Sequence, residues 1–159
     1  MTIQSVSESD AALLAILHAC CFTEAWNAAE FEALLASGNT VAQIVRDGEE
    51  QPCGLVLFRI AADEAEVLTL GVVPQSRGIG LGRQLVLAAA ATAFARGARI
   101  FFLEVSAGNA PALSLYQQLG FEEAGRRRAY YRTCESLADG LVLRCSLPLP
   151  RMGIRKQFH

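Results

Sequence analysis

The densest chemical signal in the chain is a glycine-rich turn between two arginines, Leu70-Gly71-Val72-Val73-Pro74-Gln75-Ser76-Arg77-Gly78-Ile79-Gly80-Leu81-Gly82-Arg83. A stretch of strand character runs into it and an amphipathic helix leaves it. Glycines let successive backbone N–H groups turn toward one point with no side chain in the way. The helix that follows adds unpaired N–H groups and the positive end of its dipole. Arg77 and Arg83 add formal charge. Together these features make a socket for a diphosphate.

Other glycine loops fit less well. A nucleoside-triphosphate loop ends in Gly-Lys-Ser/Thr, whereas Gly82 is followed by Arg83. A dinucleotide fingerprint counted from Gly78 meets Arg83 at its third glycine position, and counted from Gly80 it meets Leu85. The loop also follows the fourth strand of the pattern rather than the first. A turn that is glycine-rich for geometry alone leaves the two flanking arginines unexplained. A second locus lies downstream, where Glu104 interrupts the otherwise apolar run Ile100 to Val105. An apolar strand is where a carboxylate is least expected.

These residues must be carried by one domain. The chain has 159 residues, 52% hydrophobic and 19% charged, which excludes a disordered polar chain. A net charge of -2 gives no global positive field for nucleic acid. No apolar run approaches the roughly 20 residues of a spanning helix, and the alanine-rich stretch Leu85 to Ala95 is too short. No basic-then-apolar leader follows Met1, so a cytoplasmic location is expected. The five cysteines, without a CxxC pair, read as buried free thiols. The two histidines, His18 and His159, are too few and too badly placed for a metal cluster, so no metal is expected.

Periodicity supplies the element order β-α-α-β-β-β-α-β-α-β-β. Thr2 to Val6 alternates as a strand, and Ser7 with Asp10 resembles a capping box for a helix through Cys20. A second helix starts at Asn27 and stops at Ser37-Gly38-Asn39. Strands Thr40 to Val45 and Gly54 to Ile60 are joined through Asp47-Gly48, a hairpin signal. Glu66 to Val73 is the strand before the loop, and Gly80 to Arg96 the helix after it, closed by Gly97. Ile100 to Val105 suits a strand buried on both faces. Asn109 caps a helix over Ala110 to Leu119 that ends at Gly120, and Phe121 to Ser146 reads as two strands around a polar loop. Residues 1–147 form one domain and 148–159 a C-terminal extension.

Arg77-x-x-Gly80-x-Gly82, followed by Leu103-Glu104-Val105, Asn109 and Leu115-Tyr116-Gln117-Gln118-Leu119-Gly120-Phe121, resembles the Gcn5-related N-acetyltransferase (GNAT) superfamily. The resemblance implies an α/β (α+β) fold. Its central sheet would be mixed and mostly antiparallel, of about seven strands with about four helices, splayed at the middle strands. It implies acetyl-CoA as cosubstrate. Amides from about Gly78 to Arg83, including Ile79 and Leu81, would bind the pyrophosphate. The strand at Leu70, Gly71 and Val72 would pair with the pantetheine arm, and Asn109 would touch the coenzyme. In this superfamily the tyrosine matching Tyr116 commonly lies beside the coenzyme sulfur.

Amine acetylation makes the same demands. The α-ammonium group, with a pKa near ~8, must lose its proton before it attacks the thioester. The tetrahedral oxyanion needs N–H donors and the departing thiolate needs an acid. Glu104 is the candidate base, acting through a water; Tyr116 is the candidate acid; the N–H near Val72 is the candidate oxyanion donor. The simpler roles are a solvent-facing strand-end carboxylate for Glu104, a packing aromatic for Tyr116 and a helix N-cap for Asn109.

Within the superfamily the chain is most similar to bacterial ribosomal-protein-alanine N-acetyltransferases (the RimI type). The likeness lies in Trp26, Asp63-Glu64, Leu103-Glu104-Val105 and Arg127-Arg128-Ala129-Tyr130-Tyr131. It implies the N-terminal alanine of a small-subunit ribosomal protein as substrate, with neither nucleic acid nor membrane as partner, and a monomer or weak dimer. The chain departs from that pattern at Ala25, Val73, Ser106 and Ala138-Asp139-Gly140. Tyr130 and Tyr131 read either as channel lining or as hairpin packing, and Trp26 as a groove wall or, in preference, a core anchor. The alternatives are a small-molecule or lysine acceptor, and a non-catalytic acyl-CoA-binding module.

Overall fold

Stretches of period two and period 3.6 fold in the expected order in the computed structural model, which describes residues 1–132 and 137–150, with the backbone alone for 129–132 and 137–138. The elements are β1 (Thr2–Val6), α1 (Ala11–Cys21), α2 (Ala28–Ala36), β2 (Thr40–Arg46), β3 (Pro52–Ala61) and β4 (Glu64–Val72). They continue with α3 (Leu81–Ala95), β5 (Ile100–Ser106), α4 (Ala110–Gln118), β6 (Glu122–Arg132) and β7 (Leu137–Ser146). The polar loop with Cys134, the side chains of Tyr130 and Tyr131, and residues 151–159 of the expected extension lie outside the described residues.

One seven-stranded sheet runs in the order β1-β2-β3-β4-β5-β7-β6. Every pairing is antiparallel except β4 with β5. This is the mixed sheet with four helices that the resemblance implies.

Local chemistry explains the boundaries. Asp10 accepts the Ser7 N–H at 3.0 Å ahead of α1, and Asn27 accepts the Glu30 N–H at 2.9 Å to cap α2. The β2–β3 hairpin forms, but not as a tight Asp-Gly turn. Five residues connect the strands, Asp47 Oδ1 accepts the N–H groups of Glu49 and Gln51, and the left-handed residue is Glu50 (φ 62°) rather than Gly48. An Asx-type turn has replaced the two-residue one.

The sheet separates two faces. On one, an added Cβ at Gly54 would sit 3.2 Å from Leu85 of α3. Phe58 and Phe101 meet on this face at 6.4 Å, and Phe101 meets Phe121 at 6.1 Å. Small residues on α3 (Ala89, Ala90 and Ala93, all buried) let the helix lie close to the sheet. The opposite face is covered by α1 and α2 through buried Leu14, Leu17 and Phe31. Each large apolar side chain so buried contributes about 1.5–3 kcal/mol.

β5 departs from its expected environment. Phe101, Leu103 and Val105 are buried, while Ile100, Phe102, Glu104 and Ser106 are only half-buried. The strand therefore alternates, despite an almost continuous apolar sequence, because one face turns into the core beside Phe58 and Phe121 while the other carries Glu104 and its half-exposed partner Arg127. The free cysteines also differ from expectation: Cys53 and Cys145 are buried, Cys21 is half-buried and Cys20 is exposed.

The parallel junction is short. β4 and β5 pair only at Glu64↔Ile100, Ala65↔Phe101 and Glu66↔Phe102. Immediately beyond, β4 carries a bulge: Phe58 faces Val67 and Leu57 faces Thr69, leaving Leu68 as the extra residue. A bulge bends its strand and sharpens its twist. Here it turns β4 away from β5, and the two strands part around residue 67.

Candidate active site

The parting of β4 and β5 opens a groove of about 600 Å³. Its floor is Leu70, Gly71 and Val72. One end is the glycine turn with Arg77, Gly78, Gly80, Leu81, Gly82 and Arg83. One wall is Asn109, Pro111, Ala112, Leu115 and Tyr116 of α4 and its cap, and Cys21 and Phe22 close the other side.

The turn has the geometry of an anion site. Gly78 and Gly80 adopt φ of 83° and 89°, the left-handed region that other residues rarely enter. Gln84 is the first residue of α3 whose N–H reaches back, to Gly80 O at 3.1 Å. The amides of Leu81, Gly82 and Arg83 are therefore the orphan donors of a helix start, and no acidic residue occupies that first turn. A Cβ on Gly82 would come no nearer than 3.9 Å to protein, so the space above its amide is open. These are the features a pyrophosphate needs, and the residues present fit the coenzyme. Arg77 is held at the mouth by its own bond, Nε donating to Val72 O at 2.8 Å. Ile79 directs its side chain to solvent at 65% exposure and has only its backbone to offer.

β4 turns to the gap an edge that no strand pairs beyond Glu66, with the Val72 carbonyl taken by Arg77. The Val73 N–H is taken by Cys53 O of the neighbouring chain segment at 2.9 Å. Strand alternation turns the preceding Val72 N–H the other way, toward the gap. This is the N–H singled out from sequence as an oxyanion donor.

Tyr116 lines the groove, whereas Glu104 is not part of its lining and lies on the opposite face of the sheet. Register makes Phe102 a partner of Glu66, and Glu66 a partner of Arg59. Glu104, two residues along from Phe102, shares their face, as do Thr69 and Gly71 beyond the bulge. That face is covered by α1, since an added Cβ at Gly71 would lie 2.9 Å from Cys21 Cβ and 3.0 Å from Phe22 Cε2. Glu104 has 26% side-chain exposure and pairs with Arg127 Nη1 at 3.2 Å. Tyr116 belongs to the α3 and α4 side. It is 7% exposed and stacks edge-on to Phe121 at 5.8 Å. Burial pushes its hydroxyl up to about 12. Tyr116 thus packs in the core and lines the groove at once. Asn109, which is exposed, lines the groove and also caps α4, accepting the Ala112 N–H at 3.3 Å.

Sequence reasoning missed the contribution of α1. Cys21 and Phe22 carry no motif, because they reach the groove only through the packing of α1 on β4. The available signal was Gly71 itself, since a glycine inside a strand marks a close approach. It also missed Arg127 as the partner of Glu104. Trp26 is half-buried against the core, stacked on His18 at 4.9 Å, as the anchor reading expects.

Comparison with known proteins bears on this geometry. Residues 12–121 match the model of the acetyltransferase (GNAT) family. The chain is 36% identical over 149 residues to the N-alpha-acetyltransferase RimI of Mycobacterium tuberculosis, covering 91% of each chain. It is 34% identical over 107 residues to the ribosomal protein bS18-alanine N-acetyltransferase of Escherichia coli K12, covering 67% of this chain and 70% of that one. It superposes on the crystal structure of the ribosomal-protein-S18-alanine N-acetyltransferase from Escherichia coli with a TM-score of 0.84 at 25% identity, covering 96% and 97% of the two chains.

Proposed function

The chain belongs to the acetyltransferase (GNAT) family and is an acetyl-CoA-dependent N-acetyltransferase, and on that premise we propose that its acceptor is a protein N-terminal α-amine. The acceptor is the N-terminal alanine of a small-subunit ribosomal protein, the substrate class named for relatives that align over two thirds or more of this chain. The observation that supports the chemistry is the open cradle of Gly78 to Arg83 leading into a groove that Tyr116 lines, with Glu104 carried on the opposite face of the neighbouring strand.

In this reading the amine arrives on the α1 side of the sheet, where Glu104 takes its proton through a water. The Val72 N–H, turned into the gap, receives the charge that develops on the thioester oxygen. Tyr116, on the far side, donates toward the departing sulfur. Its raised pKa keeps it protonated at neutral pH, the form a proton donor needs. The amides of Gly78 to Arg83 hold the pyrophosphate, and the edge of Leu70 to Val72 aligns the pantetheine arm as an added strand.

Mass spectrometry of acetyl transfer to short peptides tests this. The panel holds an alanine-first ribosomal N-terminus, the same peptide with a blocked α-amine, a lysine-containing control and a free polyamine. One acetyl on the free alanine amine, lost in Glu104→Gln, is the expected result. Transfer only to the polyamine or the lysine would replace the acceptor. Full turnover by Glu104→Gln at saturating substrates would remove the base.

A further inference from the structure

His18 is a buried histidine that this chemistry does not use. It is 3% exposed in the last turns of α1, surrounded by the rings of Phe22 at 4.4 Å, Trp26 at 4.9 Å and Phe31 at 5.5 Å. Both ring nitrogens are engaged. The Trp26 backbone N–H donates to Nδ1 at 3.0 Å, and Nε2 lies 3.0 Å from Thr69 Oγ1. A backbone N–H can only donate, so Nδ1 is the acceptor. The proton of the neutral ring is then on Nε2, which donates to Thr69. Burial lowers the pKa of the ring, against the opposing charge of Glu30 on α2, and this favours the neutral form the two bonds require.

These bonds tie together the end of α1, the connection from Phe22 to Asn27, and the bulged half of β4. Thr69 directly follows the bulge residue Leu68 and shares a sheet face with Glu104. Phe22 and Cys21, which flank the same connection, line the groove. We propose that His18 is a positioning residue for the acceptor: as its Nε2–H tautomer it pins the segment Phe22–Trp26 to Thr69, making a fixed wall of the groove on the sheet face that Glu104 shares. The proposal rests on the reading that the acceptor arrives on the α1 side.

Amide replacements separate the two bonds. In His18→Asn the side-chain oxygen falls near Nδ1 and still accepts from Trp26. In His18→Gln the amide nitrogen falls near Nε2 and still donates to Thr69, but the Trp26 bond is lost. The full chain carrying His18→Gln is expected to show an acceptor KM raised about 5- to 10-fold, the scale of one lost hydrogen bond, with the coenzyme KM unchanged and with partial rescue in His18→Asn, which keeps the Trp26 bond but loses the one to Thr69. Trp26 is the single tryptophan. Its quenching by acrylamide should rise in His18→Gln and return toward wild type in His18→Asn. Thr69→Val, which removes only the far partner, should move both readouts the same way by a smaller factor and serves if His18→Gln does not fold. Equal changes in both KM values, or a kcat loss with the acceptor KM unmoved, would overturn the proposal. If wild type acetylates no peptide, the acceptor reading fails separately. The quenching series then decides alone: unchanged quenching in His18→Gln and Thr69→Val overturns the pinning, and increased quenching upholds it.

Discussion

The Arg127 guanidinium on β6 reaches across β7 to lie 3.2 Å from the Glu104 carboxylate on β5. Register sets Arg127 opposite Gly140, which has no side chain to obstruct the passage. With side chains 50% and 26% exposed, such a pair contributes at most about 1 kcal/mol to stability. Its consequence is orientation of the carboxylate. Arg127→Gln should shift Tm by no more than about 4 °C yet lower kcat/KM for the acceptor several-fold, with the coenzyme KM unchanged. Calorimetry beside steady-state kinetics checks both halves. A large fall in Tm with unaltered kinetics would make the pair purely structural.

Tyr116→Phe keeps the ring against Phe121 and removes the hydroxyl, so kcat should fall by about 10²-fold with little change in folding. The hydroxyl is raised from 10 to about 12 by burial, so it stays protonated through neutral and mildly alkaline solution. The ratio of wild-type to variant kcat should therefore remain flat as pH rises from about 7 to about 10. A ratio that collapses within that window would mean that Tyr116 ionises early. The same shift contributes stability that is complete below the unfolded value and is lost as pH rises toward about 12.

Gly71→Ala would place a Cβ 2.9 Å from Cys21 Cβ and 3.0 Å from both Cys21 Sγ and Phe22 Cε2. Overpacking of this kind costs about 1–3 kcal/mol. The end of α1 must move off β4, so both Tm and acceptor kinetics should suffer. Thermal unfolding and peptide KM measure the two effects, and a variant indistinguishable from wild type would show that α1 yields freely.

His18 makes stability depend on acid. Burial holds its folded pKa below the ordinary 6.5, with Glu30 opposing. The unfolded chain therefore takes up a proton first as pH falls. The contribution is whole above 6.5 and is lost as pH drops through the lowered folded value. Urea midpoints at pH 7.5 and 5 should separate more for wild type than for His18→Gln. Equal separations would assign the acid sensitivity to other groups.

Most of the fold could be read from the chain because local rules dominate it. Glycines follow the helices where the chain must reverse, alternation marks the strands, and Asn27 and Asn109 cap as their type dictates. The coenzyme half of the site was legible for the same reason, since a phosphate cradle is a contiguous stretch of backbone. The acceptor half was not. Phe22 comes to the gap, Arg127 to Glu104 and His18 to Thr69 only through sheet register and helix packing, which no local spacing records. The Asp47-Gly48 turn failed for a smaller reason: the Asp47 side chain bonded its own loop more favourably than a two-residue turn would allow.

The short junction of β4 and β5 gives the sheet the mechanics of a clamp. Two jaws, β1 to β4 and β5 to β7, meet at one corner, where Asp63 O accepts the N–H groups of Arg99 at 2.6 Å and Ile100 at 3.2 Å. From the last paired residue, Glu66, β4 runs on for about 20 Å to Val72 at ~3.3 Å per residue. A turn of only about 3° at the corner thus moves the far tips by about 1 Å, a displacement that can cost 10²-fold when reacting atoms must be held in line. Changes near Asp63 or Arg99, at the opposite end of β4 from the glycine turn, therefore act on the chemistry by leverage rather than by touch.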